Sequence, residues 1–325
     1  MTVIVGAGLA GLLAAHAWPN FEVLEASPVP RASHKALLRF RTDAVSKLTG
    51  IEFRKVRVRK NLWSEGGFVE PNIALANQYS LKVLGRIVGD RSIWDLAPVE
   101  RFIAPETLYE QLVDAVGSRI TWGSEVNLAG SKDGPVISTI PLPIALDQLG
   151  IVAPFTFDRA PIKVQRYRLK NTDVYQTCYY PDPDIGLYRA SITGDLLIAE
   201  FAAATVRTMD VTRISSRTQE LQIVRMPVED LSDTGVRNLI SKSFGIHIEG
   251  AESLGEVEQR YGKISPIPEE TRKRLLFQLT HDHDVYSLGR FAVWRNILLD
   301  DVVDDISVVR RLMRSSSYDM RRQIG

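Results

Sequence analysis

The first residues that could perform chemistry form a glycine-rich turn near the start of the chain. Gly6, Gly8 and Gly11 follow an apolar run at residues 2–5 with the spacing G-x-G-x-x-G. In such a turn the first glycine permits a tight bend, the second lets backbone approach a pyrophosphate, and the third lets the helix pack closely on the strand. Glu25, about 20 residues further on, is placed to accept a hydrogen bond from a ribose hydroxyl. The pattern indicates dinucleotide binding.

These residues need a βαβ unit to position them, and the surrounding sequence predicts one. Residues 2–5 have the pattern of a short buried strand, residues 12–17 continue as a helix, and residues 21–25 predict a second strand that ends at the acid. A G-x-G-x-x-G pattern alone is weak evidence. Strand, helix, second strand and terminal acid together make the dinucleotide-binding interpretation specific.

A second group of chemically active residues is the basic run Arg-Lys-Val-Arg-Val-Arg-Lys at residues 54–60. Its alternation of basic and apolar residues predicts a strand with one charged face. One interpretation is a phosphate-binding patch for a nucleotide, a sugar nucleotide or DNA, in which Arg57 contacts the substrate. The other is an edge strand whose charges prevent aggregation. The sequence leaves both open.

Two further groups suggest chemistry but favour a structural interpretation. His281, Asp282, His283 and Asp284 include metal-ligand types, yet alternate side chains on a strand would bring at most two of them to one ion. A solvated turn is the favoured interpretation, and we predict no metal site. Cys178 lies in an apolar run without a basic neighbour to lower its pKa, so a buried structural role is favoured over a nucleophile.

Composition narrows the class of protein. A length of 325 residues favours two domains, or one large domain with an insertion. The 40 Lys and Arg residues nearly balance the 39 Asp and Glu residues, so no overall field attracts nucleic acid or membrane. The single cysteine excludes an internal disulfide and cysteine-rich metal sites. The apolar start is too short to span a bilayer and lacks the basic residues of a signal peptide, so we expect a cytoplasmic protein without membrane contact.

The remaining sequence predicts a mixture of helices and strands without an internal repeat. Residues 162–201 have the pattern of an antiparallel sheet, with turns near residues 181–184 and 193–195. Short strands are predicted at residues 120–122, 136–141 and 285–288, and helices at residues 72–84, 107–116, 231–244 and 299–313.

Three separated motifs resemble the FAD-binding frame of the amine oxidase and UDP-galactopyranose mutase group. They are the N-terminal turn with Glu25, the run at residues 136–142, and residues 286–296 followed by Asp300 and Asp301. The resemblance implies FAD as cofactor and an α/β fold: a Rossmann-like FAD-binding domain of the GR2 type with an inserted antiparallel substrate domain. It assigns residues 1–50, 102–150 and 261–325 to the FAD-binding domain, residues 51–101 to a cap or insertion, and residues 151–260 to the substrate domain.

Carried over by position, the resemblance implies specific cofactor contacts. Those matching the group's motifs are Gly6, Gly8, Gly11 and Glu25 for the ADP half, Val126 as the strand position that meets adenine, Gly289 and Arg290 for the late flavin motif, and Asp300 or Asp301 for the ribityl chain. Members of the group usually carry a Gly-Gly-Arg turn soon after the acid, which this chain lacks. Arg31 or Arg39 is the expected substitute, and non-covalent FAD is favoured over attachment through His34.

The same resemblance implies an FAD-dependent oxidoreductase that oxidises the C–N bond of an amine or amino-acid group. A narrower version resembles flavin-dependent lyases that act on amino acids attached to modified bases of bacterial virus DNA. The alternative is a non-redox mutase acting on a nucleotide sugar, in which two of Arg166, Arg168 and Arg189 would hold the diphosphate. A flavin-binding protein without catalysis is the third interpretation. The candidate substrate contacts are Tyr179, Tyr188, Arg189 and Arg57.

Overall fold

The computed structural model describes residues 2–30, 39–89, 92–130, 134–202, 206–215, 218–227, 233–248 and 250–324. The strands are β1 (Val3–Val5), β2 (Glu22–Glu25), β3 (Arg39–Phe40), β4 (Arg54–Ser64), β5 (Gly67–Phe68), β6 (Val99–Ile103), β7 (Ile120–Trp122), β8 (Val136–Ser138), β9 (Arg159–Arg168), β10 (Val174–Tyr179), β11 (Leu187–Gly194), β12 (Leu196–Ala202), β13 (Val206–Ser215), β14 (Thr218–Pro227), β15 (Glu252–Ile264) and β16 (Val285–Ser287). The helices are α1 (Leu9–Ala17), α2 (Ala44–Thr49), α3 (Ile73–Leu84), α4 (Leu108–Val116), α5 (Leu142–Gln148), α6 (Asp233–Phe244), α7 (Glu269–His283) and α8 (Leu299–Ile324).

The chain divides into two compact units. Unit 1 contains residues 1–55, 101–157 and 266–325, and unit 2 contains residues 56–100 and 158–265. The sequence placed the corresponding boundaries at residues 50, 101, 150 and 260. The segment that was assigned to a separate cap or insertion therefore belongs, for most of its length, to the same unit as the inserted antiparallel strands.

Unit 1 is built on a five-stranded parallel sheet with the strand order β16-β8-β1-β2-β7. Its inner strands are short apolar runs, such as Val3–Val5, which is typical of parallel strands covered on both faces. Helix α1 is apolar almost all round because it packs against α2, α4 and α8 as well as the sheet. The predicted α/β class and the initial βαβ unit are confirmed.

Unit 2 contains a sheet in which β15, β9, β12, β11 and β10 pair antiparallel in that order. One face of this sheet packs against α6, and its core includes Tyr180, Leu197 and Ile240. The predicted antiparallel sheet at residues 162–201 is confirmed. Strands β13 and β14 form a separate two-stranded hairpin.

Three local features differ from the sequence expectations. Strand β4 lies between β10 and β6 in the order of paired strands, so the interpretation of the basic run as an edge strand is wrong. Helix α8 continues to Ile324 rather than ending at residue 313. His281 and His283 belong to the C-terminal end of helix α7, and not to the solvated turn that the sequence predicted. None of the described helices is long and apolar enough to cross a membrane.

Candidate functional site

The glycine-rich turn joins β1 to α1, and its first glycine is required by both conformation and space. Gly6 has φ +100°, a region that side chains other than glycine rarely adopt. A Cβ at this position would lie 2.2 Å from Thr139 Oγ1. The Gly6 N–H donates to Leu24 O at 2.8 Å, which ties the turn to β2. The turn is therefore fixed against both neighbouring strands.

Gly11 and Gly8 serve different purposes. A Cβ on Gly11 would lie 1.8 Å from Gly6 O, so α1 can approach the turn only because this residue has no side chain. A Cβ on Gly8 would meet nothing within 4 Å, so the space before the helix is open. Gly8 is also the N-cap of α1, where no side chain caps the helix and no acid lies in the first turn. An uncapped helix N-terminus facing open space is suited to a diphosphate.

Glu25 at the end of β2 holds the turn with its carboxylate. Its Oε2 accepts a hydrogen bond from the Ala7 N–H at 2.7 Å, and its Oε1 accepts one from the Ser27 N–H at 2.9 Å. An ionised carboxylate has about four acceptor positions, so two such bonds leave capacity for ribose hydroxyls. Glu25 thus lies beside the turn and stabilises its backbone.

The late motif meets the N-terminal turn. Gly289 has φ +95°, and a Cβ there would lie 2.7 Å from the Ala10 Cβ, so the segment after β16 lies against the first turn of α1. Arg290 follows directly and donates through Nη2 to Asn296 Oδ1 at 3.0 Å. Three motifs from distant parts of the sequence are therefore brought together within unit 1.

Asp300 and Asp301, for which the sequence predicted one common role, occupy different environments. Asp300 is buried; its Oδ2 accepts from the Arg41 N–H at 3.0 Å, whereas its Oδ1 is buried and has no hydrogen-bond partner in the described part of the chain. Asp301 accepts from the Leu298 N–H at 2.7 Å at the start of α8 and forms an ion pair with Arg41. Only Asp300 presents a buried acceptor that a cofactor hydroxyl would satisfy.

Arg41 is a site residue that the sequence analysis missed. The expected arginines were Arg31, which lies outside the described residues along with His34, and Arg39, which lies in β3 opposite Ile103. Arg41 instead contacts both acids at the start of α8, about 260 residues away in sequence. The run Arg39-Phe40-Arg41 was visible in the sequence, but nothing in it identifies the partner of the second arginine.

Val126 does not occupy a strand. It lies in the segment after β7, which ends at Trp122, and its carbonyl accepts from Gln148 Nε2 at 3.5 Å. The prediction of a strand position at Val126 is wrong, because β7 is only three residues long and the chain leaves the sheet before reaching it.

In unit 2, two of the predicted substrate contacts, Tyr188 and Arg189, already interact with the side chain of Glu200. Tyr188 is fully buried, and its hydroxyl donates to Glu200 Oε1 at 3.0 Å. Arg189 forms an ion pair with both oxygens of Glu200. Although burial opposes it, the Arg189 guanidinium lowers the pKa of the Glu200 carboxyl. Burial raises the pKa of Tyr188, so this phenol remains a neutral hydrogen-bond donor.

The tyrosines form an aromatic cluster. The Tyr79 ring makes edge contacts with Tyr179 at 5.7 Å and with Tyr188 at 6.3 Å between centroids. Lys263 Nζ lies 5.0 Å from the Tyr188 ring centroid. A cation of the chain itself therefore already lies over the ring that the sequence suggested for a substrate.

Two of the three arginines that were candidates for holding a diphosphate form ion pairs with carboxylates. Arg168 Nη1 lies 2.7 Å from Asp195 Oδ1, and Arg189 pairs with Glu200. Arg166, the third candidate, lies in β9 and is partly exposed. Two of the three guanidinium groups are thus neutralised within unit 2.

Lys82 is a second residue that the sequence analysis missed. It is buried in α3, and its Nζ donates to three backbone carbonyls, those of Tyr180, Asp182 and Leu187, at 2.7–2.8 Å. Burial lowers the pKa of Lys82 to about 7, against the opposing charges of Asp182 and Asp184. Its contacts hold the connection between β10 and β11 on α3. No local pattern distinguishes this lysine from a solvent-exposed one.

The sequence assigned structural roles to the segment at residues 281–284 and to Cys178, and the structure describes both. His281 Nδ1 lies 2.7 Å from Asp282 Oδ1 on an exposed part of α7, and no cluster of three or more His, Cys, Asp or Glu ligands occurs among the described residues. Cys178 is buried, and desolvation raises the pKa of its thiol to about 12. A thiol with that pKa is not a nucleophile at neutral pH.

Comparison with known proteins places this geometry in a known fold. No protein-family model matches the sequence, and no curated protein matches it. The structure is similar to a reduced UDP-galactopyranose mutase, with a TM-score of 0.61, 13% identity, and coverage of 96% of this chain and 93% of the mutase. A CLA-producing fatty acid isomerase from P. acnes has a TM-score of 0.55, 11% identity, and coverage of 95% and 98%.

A p-nitrophenol 4-monooxygenase from Pseudomonas putida has a TM-score of 0.54 and 11% identity, with coverage of 97% of this chain and 80% of that enzyme. At identities this low, the structural similarity establishes a shared fold only. The predicted likeness to UDP-galactopyranose mutase is confirmed at that level.

Proposed function

We propose that the protein is an FAD-dependent enzyme that oxidises the C–N bond of an amine or amino-acid group. The observation that carries the proposal is the contact of the Gly289 turn with the start of α1, beside the N-terminal turn, in a unit that also holds the unsatisfied Oδ1 of Asp300. A frame of the GR2 type accounts for this arrangement. The residues present fit FAD, because a diphosphate, a ribose and a ribityl chain each find a group of matching chemistry.

Each part of the cofactor has a proposed contact. The N-terminus of α1 at Gly8 would receive the diphosphate, since backbone N–H groups and the helix dipole favour anions there. Glu25 would accept hydrogen bonds from the ribose hydroxyls. Asp300 would accept one from the ribityl chain, which would satisfy its buried oxygen. Arg290 is positioned by Asn296 close to the Gly289 turn and would add positive charge.

FAD, when bound, would supply the redox chemistry by accepting a hydride from the carbon next to the substrate nitrogen. The chain would then serve to hold a neutral amine in line with the cofactor. Tyr188 would not act as the base, because burial raises the pKa of its phenol and its hydroxyl already donates to Glu200. The resulting imine would hydrolyse in water, so the net outcome would be C–N cleavage.

Arginine pairing favours oxidation over the alternative chemistry. A mutase acting on a nucleotide sugar would need two guanidinium groups for the diphosphate, and Arg168 and Arg189 are both engaged by carboxylates. The fold likeness to UDP-galactopyranose mutase over nearly the whole of both chains supports the mutase as the second candidate. A narrower version of the first candidate is oxidation of an amino-acid group attached to a modified DNA base.

The test is anaerobic reduction of the purified, FAD-loaded protein. A panel of amines, amino acids, aminoalkyl-modified nucleosides and UDP-sugars is added, and bleaching of the flavin absorbance is followed. Bleaching by an amine-bearing compound would support the proposal. Turnover of a UDP-sugar only after prior chemical reduction of the flavin would favour the mutase instead.

The matched control for this assay is Gly11→Val, which should fail to retain FAD while leaving unit 2 unaltered. Failure of the wild-type protein to bind FAD even in excess would refute the proposal at its foundation. Retention of FAD without reduction or turnover by any compound class would refute the proposed chemistry alone.

A further inference from the structure

One face of the hairpin formed by β4 and β5 carries exposed arginines along β4 and an exposed aromatic ring on β5. Alternate residues of a strand share a face, so Arg57, Arg59 and Asn61 lie together, and all three are exposed. Trp63 is next on this face, and its ring contacts Phe68 of β5 at 4.9 Å between centroids. The Phe68 residue is 59% exposed.

Protection of a sheet edge does not explain these charges. Strand β4 has neighbours in the sheet on both sides, and it pairs with β10 from Arg59 to Leu62. Charges that block pairing with another chain are needed on a strand with an open edge. A large exposed aromatic ring at the end of the same face would favour association rather than prevent it. A ligand is therefore the better explanation for both features.

We propose that this face binds single-stranded nucleic acid, with Arg57 and Arg59 on phosphates and Phe68 stacking on a base. A cationic track beside an aromatic platform is the arrangement that binds single strands without sequence preference. The two guanidinium-bearing residues are about 7 Å apart along the strand, and Arg59 is about 13 Å from Trp63. The track ends at the hairpin turn, where the exposed Glu65 repels phosphate.

The stacking contact is what selects a single strand over a duplex. Bases of a duplex are stacked on each other and cannot cover Phe68, whereas an unpaired base presents a free face. The net charge of +1 gives no general attraction, so affinity must come from this local track. The inference goes beyond the proposed function, because it requires neither bound FAD nor turnover.

The experiment measures fluorescence anisotropy of a labelled oligothymidylate of about 12 nucleotides, a length within the site sizes of such surfaces. The full-length protein is titrated over a series of salt concentrations. Arg57→Gln/Arg59→Gln should lower the slope of log affinity against log salt by about 1.4, because each single-strand phosphate contact contributes about 0.7. The matched control, Lys273→Gln/Arg274→Gln on the exposed part of α7, makes the same charge change and should keep the wild-type slope.

Phe68→Ala provides an independent readout. It should weaken binding by about 5-fold to 100-fold while leaving the salt slope unchanged, as expected for loss of one stacked base. Circular dichroism of all variants should match the wild type. The proposal is overturned if the wild-type protein does not bind the oligonucleotide at low salt, if a duplex of the same length binds more tightly, or if the α7 control loses as much slope as the β4 variant.

Discussion

Replacing Lys82 with methionine should remove a pH dependence of folding stability that the buried amine creates. Burial lowers the pKa of Lys82 from 10.5 to about 7 in the folded protein. Below pH 7 the amine is charged in both folded and unfolded chains, so the full cost of burying a charge is present. Between pH 7 and 10.5 the folded protein holds fewer protons than the unfolded chain, so the free energy of unfolding rises with pH.

The size of this effect follows from the same values. A tenfold change in proton affinity corresponds to about 1.4 kcal/mol, and the expected rise between pH 7 and pH 9 is about 2 kcal/mol. The series stops at pH 9 because the Cys178 thiol, whose pKa rises from 9.0 to about 12 on folding, is already about half ionised there in the unfolded chain. Ionisation of that thiol would lower stability and mask the rise.

Urea unfolding followed by circular dichroism at pH 7 and pH 9 measures the effect. The wild type should gain stability across this interval relative to Lys82→Met. Lys47→Met is the matched control, because Lys47 is exposed and pairs with Asp43 at 2.9 Å on the surface of α2. Lys82→Met should also be less stable at both pH values, since it leaves three carbonyls without their donor. Equal pH dependence in wild type and Lys82→Met would refute the reasoning.

Four further outcomes are expected. Gly11→Ala should abolish FAD retention, measured by gel filtration in the presence of FAD, because the added Cβ would lie 1.8 Å from a backbone oxygen. Glu25→Gln should raise the FAD dissociation constant about 10-fold to 100-fold by fluorescence titration, as for loss of a charged hydrogen bond; an unchanged constant would remove Glu25 from the site. Arg189→Met should lower stability by about 3 kcal/mol in thermal unfolding, because it leaves the Glu200 carboxylate buried without its partner, and adding Glu200→Met should restore part of the loss. Cys178 should resist a thiol-specific disulfide reagent at pH 8 until the protein is unfolded.

The nucleotide-binding turn could be predicted from sequence because its determinants are contiguous. Gly6, Gly11 and Glu25 all lie within the first 25 residues, and the strand and helix patterns that position them are local. The steric reasons assigned to Gly6 and Gly11 match the contacts that a Cβ would make. The antiparallel sheet was similarly predictable, because alternating patterns and turn residues recur along one continuous segment.

Pairings between distant residues could not be predicted in this way. Arg41 and Asp300 are 259 residues apart, and local patterns contain no information about which cation meets which acid. The same holds for Lys82 and the carbonyls about 100 residues later that accept its hydrogen bonds. Arg189 looked available for a substrate diphosphate until the pairing of β11 with β12 placed Glu200 opposite it.

The position of β4 shows the same division between sequence and structure. The alternation of basic and apolar residues was sufficient to predict a strand with one charged face, because side-chain direction depends only on the period of two. Whether that strand lay at an edge depended on its pairing with β10, more than 110 residues later. Local patterns determine which elements form and which faces are apolar, whereas neighbours in the sheet and buried charge partners are decided only when distant segments pack together.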